Sequence, residues 1–164
     1  MQVTLREWQP GDVEAAVRWS QDHEFCLANG WTLNLPAERV REWWQGRSVN
    51  APLLRLIVLD DRAVGYAEWQ VAQNSEAELG MAGGDWAVWG QGGGAQAGRL
   101  MLAWAFGELG FRRVWAEVHE PNTRSLELMR RLGFREVSRN GTGEYQGAVV
   151  RMVQFELLRG EFRE

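Results

Sequence analysis

The chain has 164 residues, 45% of them hydrophobic and 24% charged, with a formal net charge of -4. That length and apolar content suit one globular domain with a real core, residues 1–164, and leave no comfortable room for a second. The acidic balance disfavours a phosphate-backbone binder, whose affinity rests on clustered Lys and Arg, and mildly favours cationic or amine partners.

The first stretch, "VTLREW", alternates as a strand, and the segment around it is charged, with no h-region of a leader. "PGD" punctuates it, and Asp12 is placed to N-cap a helix whose apolar positions Val13, Ala16, Val17 and Trp19 recur at helical spacing. Cys26 is the lone cysteine, so no internal disulfide forms, which suits a reducing compartment. Phe25 to Arg47 is ambiguous, but "LPAERVREWWQG" has a Pro start and a Gly stop and predicts a short second helix. "LLRLIVLDDRAVGYAEWQVA" reads as a hairpin turning at Asp60, Asp61 and Arg62, and "AELGMAGG" as a third strand of that run. After the glycine loop come a helix from about Ala95 to Leu109 closed by Gly110, and the strand "RRVWAEVH". A shorter helix, "TRSLELMRRL", has Asn122 as N-cap and Gly133 at its C-cap, and "FREVSR" and "AVVRMVQFELLR" follow as strands. No apolar run approaches the roughly 20 residues of a membrane span, so a soluble, cytoplasmic protein is expected. The order predicts a mixed α/β fold around one largely antiparallel sheet.

The stretch "WGQGGGAQAGRL", from Trp89 to Leu100, has three phosphate-binding readings. A Walker loop needs Lys and Ser/Thr after its last glycine, where Ala95 and Gln96 stand. The dinucleotide fingerprint is matched by Gly90, Gly92 and Ala95, with Glu117 near the ribose-binding distance, but too little chain follows for a doubly wound sheet. The third reading is an anion nest: consecutive amides from Gln91 to Ala95 at a helix N-terminus, reinforced by its dipole and sized for a pyrophosphate. Glycine lets the phosphate approach the backbone, and no carboxylate competes between Trp86 and Gly107. A mobile surface loop is the plain alternative for a glycine run taken alone.

The surroundings decide. "ELGMAGGDWAVWGQGGGAQAGRLMLAWAFGELGFRRVWAEVHEPNTRSLELMRRLGF" resembles the GNAT N-acetyltransferase superfamily, especially its Rim-type branch of ribosomal-protein N-terminal acetyltransferases. The resemblance runs from about Glu78 to Phe162, and more loosely from the first strand. It implies a mostly antiparallel sheet of about six to seven strands flanked by about four helices, with one strand pair splayed at the cofactor, and it implies acetyl-CoA as that cofactor. The family loop falls on Trp89, Gly90, Gln91, Gly92, Gly93 and Gly94, whose backbone, with Ala95, would cradle the pyrophosphate. Trp89 replaces the Gln or Arg of the general pattern. The pantetheine arm would pair with the backbone of Met81, Ala82 and Gly83, where Gly83 and Gly84 suit a bulged strand end. Asn122 matches the family asparagine that contacts that arm, beside its role as a cap, and Ser125 and Arg131 lie where cofactor contacts recur. No metal is implied.

Acetyl transfer to an amine asks mainly for placement and a backbone donor, with a general base adding about 10²- to 10⁴-fold. Glu78 occupies the position at which histone-type members carry a catalytic glutamate; a merely hydrophilic strand residue is the other reading. Glu68, Glu117 and His119 are weaker candidates, the last two opposite the core face of Val114, Ala116 and Val118. One departure is plain: Met129 stands where the family often has a tyrosine to protonate the departing thiolate, and a thioether cannot donate. Water or another hydroxyl such as Tyr145 would serve, or the chain binds acyl-CoA without efficient transfer. Trp104 and Trp115 read as packing; Trp31, Trp43 and Trp44 form either an aromatic wall for the acceptor or a helix packed on the sheet. Two functions follow: an N-acetyltransferase acting on a small amine or a protein N-terminus, with homodimerisation open, or a non-catalytic acyl-CoA-binding module.

Overall fold

The computed structural model describes residues 2–73, 75–83 and 92–164, without the side chains of Ser48 and Val49. Seven strands are hydrogen-bonded in the order β1-β2-β3-β4-β5-β7-β6: β1 (Val3–Glu7), β2 (Leu54–Leu59), β3 (Arg62–Val71), β4 (Glu76–Gly83), β5 (Arg113–His119), β6 (Arg135–Tyr145) and β7 (Ala148–Leu158). Five helices are described: α1 (Val13–Ser20), α2 (His23–Asn29), α3 (Ala37–Val49), α4 (Gly94–Phe106) and α5 (Thr123–Arg131). The expected mixed, mostly antiparallel architecture is present, with one helix more than the sequence suggested. The chain divides into two compact units, Met1–Glu68 with Met81–Gly93, and Trp69–Gly80 with Gly94–Glu164.

In the first unit β1 pairs antiparallel with β2 from Val3↔Leu59 to Glu7↔Arg55, and β2 with β3 from Leu54↔Glu68 to Leu59↔Arg62. The extra helix, α2, has local causes that a short sequence window hides. Asp22 accepts the Phe25 N–H at 3.1 Å, and Gly30 closes the helix at φ +71. α3 starts after Pro36 as expected but runs through Gly46 to Val49. Asp12 stands at the N-cap of α1 without making a cap bond: its carboxylate instead takes the Gln9 N–H at 2.7 Å and the Arg6 guanidinium at 2.9 Å. The stronger, charge-assisted partner wins the carboxylate. The core gathers Val13, Ala16, Trp19, Phe25, Val40, Trp44, Leu54 and Leu56, with Ala82 from the end of β4. Trp8 stacks on Trp44 at 4.7 Å and Trp19 on Phe25 at 5.5 Å.

In the second unit β4 runs parallel to β5 over Glu76–Glu78 against Arg113–Trp115, and β5 is antiparallel to β7 from Arg113↔Leu158 to His119↔Met152. Ala77, Val114, Ala116, Val118, Val153, Phe155 and Leu157 form the buried face. α4 buries Ala97, Met101, Leu102 and Ala105 and meets the end of α5 where Gly98 faces Leu132; a Cβ on Gly98 would stand 2.6 Å from a Leu132 methyl. Trp69 fixes the helix further by donating its indole N–H to the Met101 carbonyl at 3.2 Å. Trp115 is not core: it lies half-exposed on the other face of β5 with the Arg113 guanidinium 5.4 Å over its ring, because strand alternation puts it out of phase with Val114 and Ala116.

Candidate active site

Glu78, Met81, Ala82 and Gly83 lie on β4 and Gly92 to Ala95 at the start of α4, so the site is built from these elements outward. Glu78 is half-buried on β4, opposite Trp115 in the parallel ladder. Burial pushes its carboxyl above the ordinary glutamate range, and the Glu117 carboxylate pushes the same way. Glu117 is exposed and receives the Gln154 amide at 2.7 Å, so one of its oxygens is already held. The same Gln154 amide donates to the Asn140 carbonyl at 2.7 Å, and its oxygen accepts from Ser138 Oγ at 2.7 Å. His119 is stacked on Tyr145 at 5.0 Å with 24° between the rings, one imidazole and one phenol on the same side of β5 and β6. Glu68 is removed from the list of bases: it is buried and paired with Arg47, whose guanidinium holds its carboxylate.

Further along β4, Met81 is half-buried, while Ala82 and Gly83 are buried. Two elements of the first unit grip this end. A Cβ on Gly65 of β3 would stand 2.2 Å from the Ala82 carbonyl oxygen and 2.8 Å from Gly83 Cα, so only glycine admits the approach. Asn29, at the end of α2, donates its amide to the Phe25 carbonyl at 2.8 Å and to the Gly83 carbonyl at 3.1 Å. Neither residue was picked out from the sequence. Gly65, isolated inside the strand pattern "AVGYAEW", is the sign that could have found the close approach. The described β4–β5 ladder stops at Glu78 although β4 continues to Gly83, so Leu79 to Gly83 lie beyond that ladder.

Trp89, Gly90 and Gln91, expected in the cradle, lie outside the described residues, as does Gly84. Gly92 has φ +99, a left-handed conformation suited to glycine, and open space where a Cβ would stand. Gly93 is buried, and Gly94 and Ala95 are buried in the first turn of α4, which carries no acidic residue. A helix start of this kind, with free N–H groups and no competing carboxylate, suits an anion. In the second unit Asn122 caps α5 by accepting the Ser125 N–H at 3.3 Å, which uses its oxygen. Its amide NH₂ has no partner among the described residues, so the cap leaves a donor over. Ser125 is half-buried, and Arg131 is exposed on the last turn of α5. Met129 is 5% exposed and packed in the core side of α5, so this position holds an apolar anchor and no proton donor.

The three tryptophans of the helical segment divide. Trp44 is 1% exposed and serves the core; Trp43 is 58% exposed. With Trp31, Leu35 and Val40 they line a cleft of about 280 Å³, edged by Thr32 and Arg39. Trp44 is thus the core ring of the packed helix, while Trp43 stands beside an open cleft.

Residues 2–135 match the family described as Acetyltransferase (GNAT) domain. The chain is 23% identical over 148 residues to the uncharacterized protein MJ1062 of Methanocaldococcus jannaschii; this covers 87% of the chain but only 30% of that longer protein. Among solved structures it is similar in fold to the spermidine N-acetyltransferase from Vibrio cholerae in complex with CoA and spermine, with a TM-score of 0.79 and 17% identity over 98% of this chain and 97% of that one. It is likewise similar to Mycobacterium smegmatis RimJ in complex with CoA-disulfide, with a TM-score of 0.79 and 20% identity over 99% of this chain and 84% of the other.

Proposed function

The chain belongs to the GNAT acetyltransferase family, whose cofactor is acetyl-CoA, and on that footing we propose that it acetylates a primary amine by direct attack within a ternary complex. The observation that carries the reading is the start of α4: Gly92 at φ +99 with open space beside it, followed by an acid-free first turn. When bound, acetyl-CoA supplies a thioester, an acyl group already activated toward amines. We assign its pyrophosphate to the backbone of Gln91 to Ala95 with Trp89 and Gly90 beside it, and its pantetheine arm to the backbone of Met81, Ala82 and Gly83. The unused Asn122 amide supports a further hydrogen bond to that arm, with Ser125 and Arg131 as flanking contacts. One acetyltransferase domain is proposed for residues 1–164, since the family match runs through both units.

The chemistry required of the protein is a proton acceptor and a donor to the thioester oxygen. Glu78 takes the proton of the attacking amine; bound acetyl-CoA would supply the acyl carbon for the new C–N bond, with the coenzyme thiolate as the leaving group. A backbone N–H in the Met81 to Gly83 stretch steadies the carbonyl oxygen as charge builds there. Met129, buried and without a donor, gives the thiolate no proton, so water or the Tyr145 hydroxyl supplies it. The spacing of "WGQGGGAQA" favours the Rim-type branch within the family. A non-catalytic acyl-CoA-binding role is not favoured by the family match.

Mixing the protein with acetyl-CoA and a panel of primary amines tests the proposal directly: free thiol should appear above the hydrolysis blank with at least one acceptor. Thiol release no faster than that blank across the panel would sink it. Glu78→Gln should lower kcat by at least about tenfold at neutral pH with CoA affinity unchanged. Because the base works only when ionised, and its carboxyl is raised by burial and Glu117, kcat/KM of the parent should fall with decreasing pH at a midpoint above about 4.3, the free glutamate value. An unaltered rate and pH profile in Glu78→Gln would leave positioning alone as the source of catalysis.

A further inference from the structure

We infer that the cleft between α3 and the segment Trp31 to Leu35 before it is the acceptor subsite and that it takes a free α-amino acid with an aromatic or bulky aliphatic side chain, its carboxylate on Arg39, in preference to a polyamine. This rests on the acetyltransferase reading for its connection to the chemistry, but the cleft itself is read from the first unit alone.

Its wall is apolar and flat. Trp31, Leu35, Val40, Trp43 and Trp44 supply it, and Trp43 remains 58% exposed, a large uncovered apolar surface. The other rings are held rigidly. Trp44 is stacked by Trp8 at 4.7 Å, Trp31 packs edge-on against Phe25 at 5.0 Å, and the Trp31 and Tyr66 rings meet at 6.3 Å. A preformed aromatic wall binds a side chain with little ordering cost. At about 280 Å³ the cleft lies near the lower end of small-molecule sites, enough for one amino acid.

Charge then selects the rest of the molecule. α3 carries three arginines that are tied differently: Arg41 bonds Glu14 and Glu38, and Arg47 bonds Glu68, whereas Arg39 has no ion pair among the described residues and stands at the cleft edge. One face of Trp43 and one of Trp44 already hold a cation, since the Arg47 guanidinium lies 5.1 Å over the first ring and 4.7 Å over the second. Arg47 also keeps one buried guanidinium nitrogen without an acceptor among the described residues. A polycation therefore meets like charge, while a carboxylate meets an unpaired guanidinium suited to a bidentate pair.

The cleft is also joined to the end of β4. Ala82 lies in the same core cluster as Val40 and Trp44, with Trp31 packed against it, and Asn29, two residues before Trp31, holds the Gly83 carbonyl at 3.1 Å. An amine anchored through its side chain and carboxylate in this cleft is thus held by the same packed group of residues that shapes the backbone assigned to the pantetheine arm.

The test titrates the CoA-saturated protein by calorimetry with L-phenylalanine, L-leucine, L-phenylalaninamide and spermidine, and follows acetyl transfer to each by mass. Phenylalanine or leucine should bind at least about tenfold more tightly than the amide or spermidine, a margin typical of a charge-assisted hydrogen bond. Arg39→Gln should remove that margin while leaving the amide unchanged, and Trp43→Ala should weaken all apolar ligands by about tenfold. Both residues are exposed, so neither variant threatens the fold. Spermidine or the amide binding as tightly as phenylalanine, no binding of either amino acid, or indifference to both variants would overturn the inference. If amino acids bind with this dependence but no N-acetyl product forms, the transferase reading fails and the cleft stands. If other amines are acetylated regardless of both variants, the cleft assignment fails and the transferase reading stands.

Discussion

Gly65→Ala is expected to destabilise the protein by about 3 kcal/mol or more, at the upper end of overpacking costs because the atom struck is backbone and cannot rotate away. The new Cβ would stand 2.2 Å from the Ala82 carbonyl oxygen and 2.8 Å from Gly83 Cα. β3 or the end of β4 must move, and the hydrogen bond from Asn29 to the Gly83 carbonyl is stretched with it. For a chain of this size that cost lowers Tm by roughly 6–12 °C. CoA affinity should fall in the fraction that remains folded, because the Met81 to Gly83 backbone is the edge assigned to the pantetheine arm. Gly46→Ala is the matched control. Gly46 lies inside α3 with nothing within 4 Å of its missing Cβ, so alanine there should leave Tm unchanged or raise it, by up to about 1 kcal/mol of helix propensity. Thermal melts of the two variants decide the matter: a Gly65→Ala protein melting within about 1 °C of the parent would show that the close approach is absent.

That contrast also marks what a sequence can reveal. The strand "AELGMAGG", the acid-free glycine run and the helix after it were legible because each depends on local chemistry: alternation, backbone freedom, and the absence of carboxylates near a helix start. The Asn122 cap was legible for the same reason and is present as a 3.3 Å bond. Partner choice was not legible. Asp12 looked like a cap until Arg6, from β1, took its carboxylate, and Glu68 looked like a free base until Arg47, from α3, claimed it. Trp115 was misread because its neighbours Val114 and Ala116 define the buried face, and a large aromatic residue invites the assumption of burial that the strand period denies it. The α2 helix was hidden by its length, since seven residues are too few for a helical period to stand out, and its stability comes from Asp22, Gly30 and the burial of Phe25. The tryptophans could not be sorted into core and cleft by spacing, because Trp43 and Trp44 are adjacent and only packing against Trp8 separates their roles.

The same logic governs the cradle, where the expected effect is largest. Gly92→Asp combined with Gly94→Asp should abolish measurable CoA binding, a loss of at least about 100-fold. Each aspartate adds a negative charge where the pyrophosphate is assigned, at the positive end of α4, and would itself occupy the N–H groups the phosphates need. Two charges at about 4 Å repel by roughly 4 kcal/mol at a partly exposed site, before any steric term. Position 92 has φ +99, which strains any L side chain, and Gly94 is buried, so misfolding could mimic the effect. Gln96→Glu separates the two. It changes one amide to a carboxylate of the same shape, half-buried in the first turn of α4, where a negative charge stabilises a helix by a few tenths of a kcal/mol to about 1 kcal/mol. Its Tm should therefore hold or rise while CoA affinity, read by calorimetry, falls by about tenfold at low salt and less at high salt, as screening requires. Loss of stability runs with loss of binding if the glycines are merely structural; here the two should move in opposite directions. Full CoA affinity in Gln96→Glu and in the double variant alike would place the phosphates somewhere other than the start of α4.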